Sequence, residues 1–185
     1  MVRALIAPRV WELFRDLQSL SGEYGLGMGN QFLEPNEREF HEAASFYISS
    51  LLPGRSARHN CELGEAPSCA YPQLLTLYAA ATESEFSPQN ANADSDDDWE
   101  SLWLSFESNG IRHRFRVSEV EDSDWFTSQF VAGLNRFAAR VGLSGRWVDF
   151  YDGDDSCTSL YVPTQAVRRF KALRRKYSAQ ESLYD

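Results

Sequence analysis

The stretch LWLSFESNGIRHRFRV, Leu102 to Val117, decides the fold reading. Two runs of alternating apolar and polar residues flank Asn109-Gly110. An Asn-Gly pair in that setting signals a type I′ hairpin, because both central residues of the turn need φ > 0. A two-residue loop fixes the register: Ser108 opposite Ile111, Glu107 opposite Arg112, Phe106 opposite His113, Leu104 opposite Phe115, Leu102 opposite Val117. The apolar residues then share one face. The other face pairs Glu107 with Arg112 and Trp103 with Arg116, an ion pair and a cation–π contact. A slip of one residue would turn every apolar side chain to water.

Downstream, Phe126, Phe130, Leu134, Phe137, Ala138 and Val141 recur at helical spacing, and Gly142 supplies a stop. Arg146–Tyr151 and Thr158–Val162 read as a second hairpin around DGDDSC. Val148 and Phe150 share a face, and Leu160 and Val162 join them if the connection has five residues or a bulge. A last helix runs from Gln165 to about Tyr177. Thr164 is its expected cap.

Upstream, helices are predicted over 8–20, from Glu34-Pro35-Asn36 to about Leu52, and from Gln73 to about Ala81. The glycines at 22, 25, 27 and 29 lack a preceding strand and a completing GxGxxG or GK[ST], and read as a flexible turn. Residues 55–70 read as a loop.

The expected fold is α+β. A helical N-terminal lobe (1–82) and an acidic linker (83–98) precede a ββαββα unit (99–177) and a tail (178–185). The unit forms one four-stranded antiparallel sheet with both helices on one face. Its other face would carry Trp103, Ser105, Arg112, Arg114, Arg116, Trp147, Asp149 and Tyr151. Either the N-terminal helices cover part of that face or it is a recognition surface.

The chain of 185 residues is 43% hydrophobic and 14% aromatic, which marks a globular domain with a real core. Its net charge of −9 disfavours nonspecific binding to nucleic acid or anionic membranes and favours basic partners. No stretch has the length of a membrane span, and the first residues lack a signal peptide's apolar run and cleavage site. Three cysteines without framework spacing suggest a reduced, cytoplasmic setting.

The acids cluster at Asp94-Asp96-Asp97-Asp98-Glu100, at Glu119-Glu121-Asp122-Asp124 and at Asp149-Asp152-Asp154-Asp155. Such a rim can be plain solvated surface, a dock for a basic protein, or a divalent-cation site built from Asp152, Asp154 and Asp155. DGDDS lacks the twelve-residue EF-hand pattern. His59, Cys61 and Cys69 invite a zinc reading, but C-x7-C fits no common zinc module and a fourth ligand is missing; small buried thiols are the plainer expectation. Walker, GxSxG, HExxH and CxxC motifs are absent, and no cofactor pattern is recognised.

The segments WLSFESNGIRHRFRV, DWFTSQFVAGLNRFAARVG, RWVDFYDGDD and SLYVPTQAVRRF cover about half the chain. In element order and acidity this half resembles the small acidic immunity proteins that bacteria make against secreted toxins. The ββαββα order after a helix is also similar to type III secretion chaperones. Neither resemblance carries a functional residue across. Together they imply a cytoplasmic protein that neutralises or escorts a basic toxin or secreted effector. The expected contacts are Asp96, Asp97, Asp98, Trp99, Trp103, Trp147, Asp149, Tyr151, Asp152, Asp154 and Asp155, with acids steering the encounter and aromatics supplying anchor area.

Two rivals stand beside it: a small metal-assisted enzyme using Asp152, Asp154 and Asp155, and an RNA-binding module using Arg168, Arg174 and Arg175 of the last helix. That basic helix face could equally dock on the protein's own acids or on a twin subunit. The sequence sets no oligomeric state.

Overall fold

The computed structural model describes residues 3–26, 35–95, 100–120, 125–151 and 156–178. Its elements run α1 (Arg3–Glu23), α2 (Glu37–Glu42), α3 (Ala44–Ser50), β1 (Ser56–Asn60), α4 (Pro67–Ala80), β2 (Gln89–Ser95), β3 (Ser101–Ser108), β4 (Ile111–Ser118), α5 (Gln129–Val141), β5 (Gly145–Tyr151), β6 (Ser156–Pro163) and α6 (Val167–Ser178).

The first hairpin forms in the expected register, from Ser108 opposite Ile111 to Leu102 opposite Val117. Asn109 and Gly110 have φ of 52° and 72°, as a type I′ turn demands. The second hairpin pairs Val148 with Leu160 and Tyr151 with Cys157, so five residues, 152–156, separate its last pair. Val148, Phe150, Leu160 and Val162 therefore do share a face.

The single four-stranded sheet does not form. Among the described residues there are two separate three-stranded sheets, in the orders β2-β3-β4 and β1-β6-β5. Nor is there a free-standing helical lobe ahead of the sheet. The reason lies in the second hairpin, which is apolar on both faces. Val148, Phe150, Leu160 and Val162 pack into one core with Leu13, Phe14 and Leu17 of α1, Phe40 of α2, Ile48 of α3 and Phe170 of α6. Trp147 and Tyr161 point the opposite way, into a second core with Tyr71, Leu75 and Tyr78 of α4 and Phe130 and Leu134 of α5. A strand pair with two apolar faces must be covered on both, as buried sheets are. The N-terminal helices supply one cover, and α4 with α5 supplies the other.

The far side of α4 and α5 carries the first hairpin, whose Leu102, Leu104, Phe106, Phe115 and Val117 complete that second core. Four layers result: helices α1, α2, α3 and α6; sheet β1-β6-β5; helices α4 and α5; sheet β2-β3-β4. Contact between layers is close. A Cβ on Gly133 of α5 would sit 2.6 Å from the Phe115 ring on β4, so only glycine fits without a shift.

Each hairpin takes its third strand from a stretch read as irregular. Within the 55–70 loop, Ser56–Asn60 pairs antiparallel with β6. Within the 83–98 linker, Gln89–Ser95 pairs with β3. Several helix limits also move. The helix expected across 34–52 breaks at Ala43 into α2 and α3. Asn36 and Glu39 form a reciprocal capping box at the start of α2. α4 begins at Pro67, with Pro72 inside it. Thr164 does not cap α6; its hydroxyl donates to the Ser144 carbonyl at 2.8 Å.

Cys61 and Cys157 are joined by a disulfide, Cα to Cα 5.6 Å, against the expectation of reduced thiols. Cys69 is free and exposed. The bridge fastens the end of β1 to β6 beside the pair His59–Cys157.

Candidate functional site

The two halves of the expected recognition face meet opposite fates. On sheet β2-β3-β4 the face stays open: Asn92, Asp94, Arg112, Arg114 and Arg116 are exposed and Trp103 is half-buried among them. Trp103 lies between two cross-strand partners, Asp94 on β2 and Arg116 on β4. The guanidinium that stacks on the indole is Arg114, 3.9 Å from the ring centroid, not the directly opposite Arg116. A diagonal neighbour reaches the ring because strand twist offsets the direct pair. Arg116 Nε instead donates to Ser101 Oγ at 2.9 Å. Asn90 donates to Glu107 at 3.2 Å.

On sheet β1-β6-β5 the corresponding face is core. Trp147 is 1% exposed. Its indole N–H donates to the Tyr78 carbonyl at 3.2 Å, and Asn135 brackets its backbone with two 2.9 Å hydrogen bonds. Asp149 is half-buried and accepts from Ser159 Oγ at 2.5 Å. Burial pushes its carboxyl above the ordinary range, against the Ser159 bond and the positive charges of Arg174 and Lys171. Tyr151 ends β5. Asp96, Asp97, Asp98, Trp99, Asp152, Asp154 and Asp155 lie outside the described residues, as does the proposed Asp152–Asp154–Asp155 cation site. Among the described residues no group of three or more His, Cys, Asp or Glu side chains is placed to hold a metal. The zinc reading of His59, Cys61 and Cys69 fails because Cys61 is bridged to Cys157.

A cleft of about 340 Å³ opens between β1 and α4. Leu63, Leu74 and Leu77 form its apolar wall, and His59, Glu62 and Glu65 its polar one. Gln73 holds Glu65 with a 2.8 Å hydrogen bond. His59 is half-buried against the edge of the Phe126 ring, 4.6 Å between centroids, and desolvation lowers its imidazole below the usual range despite its bond to the Asn60 carbonyl. Behind it stands Tyr78, whose phenol is raised well above its ordinary value by burial and by the nearby Asp149. No local sequence pattern marks this assembly, because its members come from β1, the loop after it and α4, with Phe126 against His59. The one available signal was a polar triplet, Arg58-His59-Asn60, ahead of Cys61.

The basic face of α6 is partly spent within the molecule. Arg169 pairs with Glu23 of α1, and Lys176 with Asp16 at 2.8 Å. Tyr177 Oη also donates to Asp16, at 2.9 Å. Arg168 and Arg175 are exposed. His113 packs beside Phe106 and Phe137, at 5.6 and 5.0 Å between centroids.

No described helix is long and apolar enough to cross a membrane. Compared with known families, characterised proteins and solved structures, the chain matches none.

Proposed function

We propose that this is a protein-binding protein that neutralises or escorts a partner through the open face of sheet β2-β3-β4. The observation that carries the reading is Trp103. A tryptophan held under the Arg114 guanidinium on an uncovered sheet face is a pre-ordered aromatic anchor, of the kind that dominates interface energetics. Asp94 lies beside it, and Asp96, Asp97, Asp98 and Glu100 follow in the chain. The partner is therefore basic where it meets the β2 flank, in keeping with the net charge of −9. Arg112 and Arg114 on the β4 edge call for carboxylates at the opposite end of the same patch.

Trp147 drops out of the contact set, since nothing can reach it without unfolding the core. A cytoplasmic setting belongs to this reading with Cys61 and Cys157 reduced; the bridge itself favours an oxidising compartment. Thiol titration of protein taken from its host under alkylating quench decides between the two.

The test uses a partner captured from the host, purified, and titrated against the wild-type chain and Trp103→Ala. A Kd raised tenfold or more, with unchanged circular dichroism, supports the surface. An unchanged Kd overturns it. Asp94→Asn should slow association and flatten its salt dependence.

A further inference from the structure

His59, Tyr78, Ser159 and Asp149 stand in one file that crosses β1, α4, β6 and β5. His59 Nδ1 lies 2.7 Å from the Asn60 carbonyl oxygen. A carbonyl can only accept, so this nitrogen carries a hydrogen. His59 Nε2 is 3.2 Å from Tyr78 Oη, Tyr78 Oη is 2.8 Å from Ser159 Oγ, and Ser159 Oγ is 2.5 Å from Asp149 Oδ1. Three contacts in series need three hydrogens. The two hydroxyls supply two, and the third must come from one end of the file.

We propose that the file is a one-proton site, in which His59 and Asp149 share a single proton through Tyr78 and Ser159. Two arrangements satisfy every contact. In one, the Asp149 carboxyl donates to Ser159, Ser159 to Tyr78, and Tyr78 to a neutral His59. In the other, each of those hydrogens has moved one place towards the imidazole. Nε2 then donates to Tyr78, Tyr78 to Ser159, and Ser159 to the Asp149 carboxylate. The net charge of the four groups is zero in both, and no bond other than O–H and N–H is made or broken. Removing the proton leaves one contact with lone pairs facing each other where water does not replace the hydrogen, which is costly.

The surroundings bias the proton. Desolvation acts against charge at both ends, lowering His59 and raising Asp149, and so favours the neutral arrangement. Lys171 and Arg174 of α6 pull the other way by favouring the Asp149 carboxylate. At the far end His59 shares its cleft with Glu62 and Glu65. Arg58 precedes it on β1, with its side chain on the opposite face. The residue opposite His59 on β6, Cys157, is in the disulfide and does not titrate. Tyr71, also raised by burial, is the other phenol acting on Tyr78. A charge entering the cleft therefore shifts the proton: an anion draws it to His59, a cation drives it to Asp149. Two ionisable groups tied this way titrate as a pair, not singly.

The experiment is a pH titration of the full chain by NMR, following the Asp149 Cγ and His59 ring nitrogens. The expected result is a single transition, in which both probes share one midpoint to within about 0.3 pH unit as the proton leaves. Tyr78→Phe removes the linking hydroxyl and should split that midpoint by at least one pH unit. Asp149→Asn removes the other holder of the proton, so the His59 midpoint should fall by at least one pH unit while the protein stays folded. That variant keeps the test decisive if Tyr78→Phe does not fold. Separate midpoints in the wild-type chain, or a His59 midpoint unmoved by Asp149→Asn, would overturn the proposal.

Discussion

Trp103 and Trp147 hold the same place on two hairpins of like design, and the molecule uses them in opposite ways. Around Trp103 the alternation is one-sided: apolar residues on the core face, Asp94, Arg112, Arg114 and Arg116 on the other. Around Trp147 the second face is apolar too, through Tyr161 and Ala57. The first hairpin can end a stack of layers. The second has to sit inside one. The position of a tryptophan on a strand thus says less about exposure than the residues beside it on neighbouring strands.

The largest effect expected from breaking this contrast comes from the bridge that pins the inner sheet. Cys157→Ser should cost about 4 to 5 kcal/mol in denaturant unfolding, the loop-entropy figure for a closure of this span, 96 residues. Trp147→Ala should cost about 3 to 5 kcal/mol, while Trp103→Ala should cost under ~1 kcal/mol and act on partner affinity instead. Equal losses from the two would erase the distinction. Gly133→Ala, which presses on the Phe115 ring where α5 meets the outer sheet, should cost about 1 to 3 kcal/mol by thermal melting.

The smallest effect concerns Glu85, which accepts from Ser144 N–H and Oγ–H at 2.5 and 2.9 Å and from Tyr161 Oη at 2.6 Å. Burial raises its carboxyl, but the bonds from Tyr161 and Ser144 outweigh it and hold the folded value below the ordinary 4.5. The same burial and bond push the Tyr161 phenol up to about 12. The Glu85 contribution is therefore complete above pH 4.5 and fades as pH falls through the lowered folded value. Glu85 is exposed, so the loss should stay below ~1 kcal/mol. Glu85→Gln should flatten the acid limb of a stability profile; an unchanged limb would remove Glu85 from it.

The sequence carried the strong, local parts of this fold. Asn109-Gly110 and its alternating flanks set the register of the first hairpin to the residue, and the five-residue condition on the second is met. What it did not carry were the two edge strands. β1 and β2 turn mainly alanines inward, Ala57, Ala91 and Ala93, because α4 lies close over them. An edge strand with small inward residues and polar outward ones has no hydrophobic periodicity to read, and natural edges are kept polar to avoid pairing with other chains. Without them, two hairpins in succession look like one sheet. The open face around Trp103 could be read ahead. The His59 file could not, because its contacts join residues up to 81 positions apart.

Pairing Ser56 with Leu160 also sets a timetable for making the protein. Helices α1, α2 and α3 bury their apolar sides against Val148, Phe150, Leu160, Val162 and Phe170, all of which leave the ribosome well after those helices do. Until β5, β6 and α6 have been made, α1, α2 and α3 lack the surface they bury against. A nascent chain stopped after β4 should leave α1 and α3 open to protease, and completing β6 should close them in one step.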